Sequence, residues 1–88
     1  MNLLLRDFTK EFKLLDGKYG NVRIQHILYG NQKYNRCVLH PLVDDERIGL
    51  VIDDEDKYVT MDELCGVSIA NNEYCIKSNV MELYINLL

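Results

Sequence analysis

Among 88 residues there is no tryptophan, one proline and two histidines, and no run of glycines. Each shortage excludes something. A chain of this length without tryptophan shapes little more than a shallow groove, which leaves no cleft to raise the pKa of a catalytic acid. The five glycines stand apart, as turn punctuation and one strand interior, so no glycine-rich phosphate loop exists. With 48% hydrophobic residues and no low-complexity stretch or repeat, residues 1–88 read as one folded domain. Such a domain buries only about 60–65% of its unfolded surface, so self-association would add useful burial. The opening "MNLLLRDF" has three consecutive apolar residues, too few for a secretory core or a membrane span. The expectation is a cytoplasmic protein with no membrane association.

Metal and nucleophile chemistry fare no better. Cys37, Cys65 and Cys75 are an odd number with no C-x-x-C spacing, which argues against a disulfide framework and a zinc ribbon; they read as reduced core residues. His26 and His40 add too few ligands for zinc. The expectation is therefore no cofactor, no metal, no catalytic residue and no enzymatic activity.

What is present is patterned. Leu4, Leu5, Phe8, Phe12 and Leu15 recur at helical spacing, predicting an amphipathic helix over residues 2–15 that "DGKYGN" ends. "VRIQHILY" and "RCVLH" then alternate as strands around the turn signal "GNQKYN". A turn that sets Tyr29 opposite Tyr34 puts Ile24 against Leu39 and His26 against Cys37 on the core face, and Arg23 against His40 on the other. "RIGLVID" and "KYVTM" form a second hairpin, followed by "GVSIA", "EYCIKS" and "MELYINL". Between them, Thr60 and Glu63 have capping-box spacing for one helical turn. The predicted class is α+β, mainly β: an N-terminal amphipathic helix on a small, strongly curved antiparallel sheet or partly open barrel of five to seven short strands. That architecture is similar to the Sm-like and SH3-like small barrels.

Charge is the most distinctive feature. Residues 1–43 carry a net +4 and residues 44–88 a net −8. Between 44 and 63 lie nine carboxylates, Asp44, Asp45, Glu46, Asp53, Asp54, Glu55, Asp56, Asp62 and Glu63, against two basic side chains. A calcium loop begun at Asp53 or Asp54 would need its bidentate glutamate at Leu64 or Cys65 and lacks the glycine at its sixth position. The acids read instead as a binding surface. Together with Tyr58 they are the candidate partner-binding residues, and the partner they fit is a basic protein surface or another copy's basic N-terminal half, giving a homo-oligomer. A first alternative is a nucleic-acid mimic of the kind carried by phages and mobile elements, which would block a nucleic-acid-handling enzyme. A hairpin arm of roughly 33 Å carries about one charge per 5 Å, against one per about 1.7 Å in duplex DNA. A second alternative is an Sm-like nucleic-acid-binding barrel using Lys18, Tyr19, Arg23, Tyr29, Lys33, Tyr34 and Arg36. Direct nucleic-acid binding is disfavoured because the chain is net −4 with a pI near 5.0.

Overall fold

The computed structural model describes residues 4–88. Its one α-helix, α1, runs Leu5–Lys13, so the predicted helix is shorter at its C-terminal end, and Asn2 and Leu3 lie outside the described residues. Beyond the cap at Leu14 the amides of Leu14, Leu15 and Asp16 donate to carbonyls three residues back, and glycine then lets the chain leave. Gly17 adopts a left-handed φ of 82°, its amide donates to the Leu39 carbonyl, and the Lys18 amide donates back to the Leu15 carbonyl. Phe8, Phe12 and Leu15 are buried as expected, but Leu4 and Leu5 are 65% and 37% exposed. Leu4 is the N-cap, and Leu5 borders an open hollow with Val43, Met61 and Leu64, which leaves both partly in water.

Eight antiparallel strands follow, more than the five to seven expected: β1 (Tyr19–His26), β2 (Gly30–Val38), β3 (Pro41–Val43), β4 (Arg47–Ile52), β5 (Glu55–Thr60), β6 (Leu64–Ala70), β7 (Glu73–Ser78) and β8 (Met81–Leu87). The extra strand is the three-residue β3, too short to show any alternation. Five strands form one sheet in the order β2-β1-β8-β7-β6, and three form another in the order β3-β4-β5. The two sheets do not hydrogen-bond to each other, so the fold is two-sheeted and not closed.

Both sheets and the helix share one core. Val22, Ile24, Ile76, Leu83 and Ile85 of the larger sheet meet Ile48, Leu50, Ile52 and Val59 of the smaller one. Phe8 stacks on Phe12 at 5.3 Å between ring centroids and meets Tyr74 edge-on at 6.0 Å. The β5–β6 link is the single helical turn expected from Thr60 and Glu63, a 3₁₀ turn over Met61–Glu63. No side chain caps it, however. Thr60 Oγ1 donates to Glu63 Oε1 at 2.9 Å, so the two predicted capping side chains satisfy each other.

The register of the first hairpin corrects the sequence reading. His26 pairs with Gly30, Ile24 with Gln32 and Gly20 with Cys37, so neither the His26–Cys37 nor the Ile24–Leu39 pair exists. Gly30, at a φ of 76°, closes a loop over 27–29 and begins β2. "GNQKYN" is therefore strand, and the apolar "ILY" is the turn. Further along β2, a bulge opposite Gly20 and Val22 puts Arg36 at a φ of 53°, and its amide is satisfied by Asn21 Oδ1 at 2.9 Å.

Candidate partner-binding site

The acidic stretch folds as predicted into a hairpin, β4–β5, pairing from Arg47 with Thr60 to Ile52 with Glu55. Its turn is minimal. Asp53 and Asp54 have φ values of 52° and 64°, the pair of left-handed residues that a two-residue type I′ turn requires. Ile48, Leu50 and Ile52 are buried, so strand alternation turns Arg47, Gly49 and Val51 to the outer face, where the register sets them against Thr60, Tyr58 and Asp56. At Gly49 the backbone of β5 leaves no room for a side chain. A Cβ there would collide with the Lys57 carbonyl oxygen and lie 2.5 Å from Tyr58 Cα.

This geometry divides the ten predicted residues. Asp53, Asp54, Glu55 and Asp56 gather at the turn, while Asp44, Asp45, Glu46, Asp62 and Glu63 gather at the base, where the Met61 amide donates to the Glu46 carbonyl at 2.8 Å. Six-residue strands hold the two groups about 20 Å apart, at roughly 3.3 Å per residue. Between them the outer face carries Val51 and Tyr58 beside the buried Gly49, with Tyr58 40% exposed. At the base, Asp45, Glu46, Arg47, Tyr58, Thr60, Met61 and Asp62 line an open hollow of about 350 Å³.

The carboxylates differ in what they already hold. Asp44 Oδ1 accepts the Glu46 and Arg47 amides, both at 2.8 Å, and Oδ2 accepts Arg47 Nε and Nη2. The Glu46 amide first, and the Arg47 guanidinium after it, hold the Asp44 carboxyl below the usual carboxylate range. Arg47 also reaches Asp56 at 3.6 Å and lies 5.3 Å from the centre of the Tyr58 ring. Glu55 is lowered by its 2.9 Å contact with Lys57. Asp45, Glu46, Asp53, Asp54 and Asp62 form no ion pair among the described residues.

Two further surfaces lie outside the ten predicted residues, although Tyr29 and Arg23 belong to the set considered for nucleic-acid binding. Ile27, Leu28 and Tyr29 stand 72%, 77% and 76% exposed at the tip of β1–β2. His26 supports this tip: its Nδ1 accepts the Leu28 amide at 3.0 Å and the Tyr29 amide at 3.3 Å, and its ring lies 4.5 Å from that of Tyr29. The available signal was Gly30 itself, since a three-residue hairpin loop ends on a left-handed glycine. The second surface is the outer face of the larger sheet, where Arg23 packs over the Tyr84 ring at 4.4 Å. Tyr84 donates to Glu82 at 2.9 Å, and burial followed by that bond pushes its phenol up to about 12.

Among the described residues no group of three or more histidine, cysteine or acidic side chains is arranged to hold a metal ion. Cys75 is buried, Cys37 half-buried and Cys65 exposed, so the expectation of three core cysteines holds for one. Burial raises the Cys75 and Cys37 thiols, which keeps them poor nucleophiles. Among the described residues no helix is long and apolar enough to cross a membrane. Compared with known proteins, the chain matches no family model, no curated protein and no solved structure.

Proposed function

We propose that this chain is a non-catalytic binding module that engages a basic protein surface through the outer face of β4–β5. One observation carries the reading: Asp45, Glu46 and Asp62, none of them in an ion pair among the described residues, line one open hollow with Tyr58 and with Arg47, whose charge Asp44 and Asp56 already hold. Carboxylates without an internal cation keep their attraction for a partner's lysine or arginine, and an adjacent tyrosine supplies the apolar contact that interface anchors use. A two-sheet fold of the general Sm-like or SH3-like kind suits the role, because its short strands present such a face rigidly. Mimicry of nucleic acid draws on the same acids and is the weaker reading, since the two groups are interrupted by Gly49, Val51 and Tyr58.

The test compares wild type with Asp45→Asn/Glu46→Gln/Asp62→Asn in a native-lysate pull-down read by mass spectrometry, and in an NMR titration with a lysine- and arginine-rich peptide. A basic protein recovered by wild type and lost by the variant, with peptide-induced shifts centred on Tyr58, is the expected result. Equal recovery by both proteins, or shifts away from Tyr58, overturns the reading.

A further inference from the structure

Resting on that reading, we infer that the basic surface is supplied by a second copy of this chain, whose β1–β2 hairpin docks on the outer face of β4–β5. Residues 17–43 contain no aspartate or glutamate and carry Lys18, Arg23, Lys33 and Arg36. Lys33 and Arg36 are exposed on β2, and neither forms an ion pair among the described residues. One hairpin is thus acid-free with uncommitted cations, and another holds uncommitted acids.

The apolar parts match in the same order. Ile27, Leu28 and Tyr29 form an apolar tip, with Arg23 and Lys33 facing each other across the strands behind it. The outer face of β4–β5 has its less polar strip, Val51 and Tyr58 beside the buried Gly49, between acids at both ends. A tip laid on that strip covers three large side chains that the monomer leaves in water, and brings the cations toward the acids. Tyr29 and Tyr58 border one hollow within each copy, so the two surfaces are neighbours, and a two-fold pair is the arrangement in which both contacts form at once without a filament.

Sedimentation velocity on the full chain tests this, with two charge-reversed variants, Lys33→Glu/Arg36→Glu and Asp45→Lys/Asp62→Lys. Wild type is expected to dimerise with rising concentration, and the dimer to weaken as salt rises from about 50 to about 500 mM. Each variant alone should sediment as the 10.3 kDa monomer. Their equimolar mixture should recover twice that mass, because each reversed surface then faces its complement. Leu28→Ser, which changes no charge, should weaken the dimer about tenfold or more. A wild type that stays monomeric at millimolar concentration overturns the inference, as does a dimer that survives in both variants alone. If that monomer still binds the basic peptide at Tyr58, only the second copy fails; if it binds none, the binding-module reading falls with it.

Discussion

Arg47 and Asp44 are joined side chain to side chain while Asp44 also closes its own turn: Arg47 Nε and Nη2 lie 3.1 and 3.0 Å from Oδ2, and Oδ1 takes two backbone amides. One carboxylate thus fixes the entry to β4 and the cation nearest Tyr58. Everything it accepts favours its charged form, so its pKa in the fold is lowered.

A carboxyl lowered on folding contributes stability above its ordinary value near 4, and loses it as pH falls through the depressed value. Asp44 and Glu55 shift in this direction. Urea midpoints should therefore hold steady from neutral pH to about 5 and fall below about 4. Both side chains are exposed, so the fall attributable to each is small. Asp44→Asn should flatten it, and Asp44→Ala, which also removes the turn acceptor, should lower the midpoint at every pH.

Tyr84 sets the opposite limit. Its phenol, pushed up to about 12, stays protonated in the fold after an unfolded tyrosine has ionised near 10. Its contribution is complete below about 10 and is lost as pH rises toward 12. Absorbance titration of tyrosinate should show a late step that Tyr84→Phe removes.

Phe8 joins α1 to the sheet through Phe12 and Tyr74 and is fully buried. Phe8→Ala should cost about 3–5 kcal/mol in denaturant unfolding, a large share of a small domain's stability. Leu4→Ala, at an exposed position four residues earlier, should cost less than about 0.5 kcal/mol.

That contrast marks where the sequence is legible. Helical spacing located the helix, because Phe8 and Phe12 follow the 3.6-residue period, but it could not say how far the sheet extends beneath Leu4 and Leu5. The β4–β5 hairpin was readable from the apolar runs in "RIGLVID" and "KYVTM", but the acidic loop between them was read too long, since Glu55 and Asp56 belong to β5 and only Asp53 and Asp54 turn. The β1–β2 register was not, because turns are recognised by their polar residues, whereas this loop is Ile27, Leu28 and Tyr29 held by Gly30 and by His26 Nδ1. The acidic stretch was identified correctly as a hairpin, but its split into two ends follows from register, which composition does not encode.

The turn between those ends yields the last prediction. Asp53 and Asp54 both sit in the left-handed region, which aspartate tolerates less readily than glycine, and their adjacent charges repel. Asn-Gly is the pair this turn type favours. Asp53→Asn/Asp54→Gly relieves both penalties at the cost of a more flexible unfolded chain, and the net expectation is a gain of about 1 kcal/mol. Glu55 and Asp56 are left intact because they pair with Lys57 and Arg47. The same substitution removes two charges from one end of the binding face, so association with a basic partner should slow and its salt dependence flatten. Thermal melting with salt-dependent association kinetics checks both halves. A raised melting point with unchanged association would confine binding to the basal hollow around Tyr58, whereas a lowered melting point would mean that the two aspartates stabilise the turn as they stand.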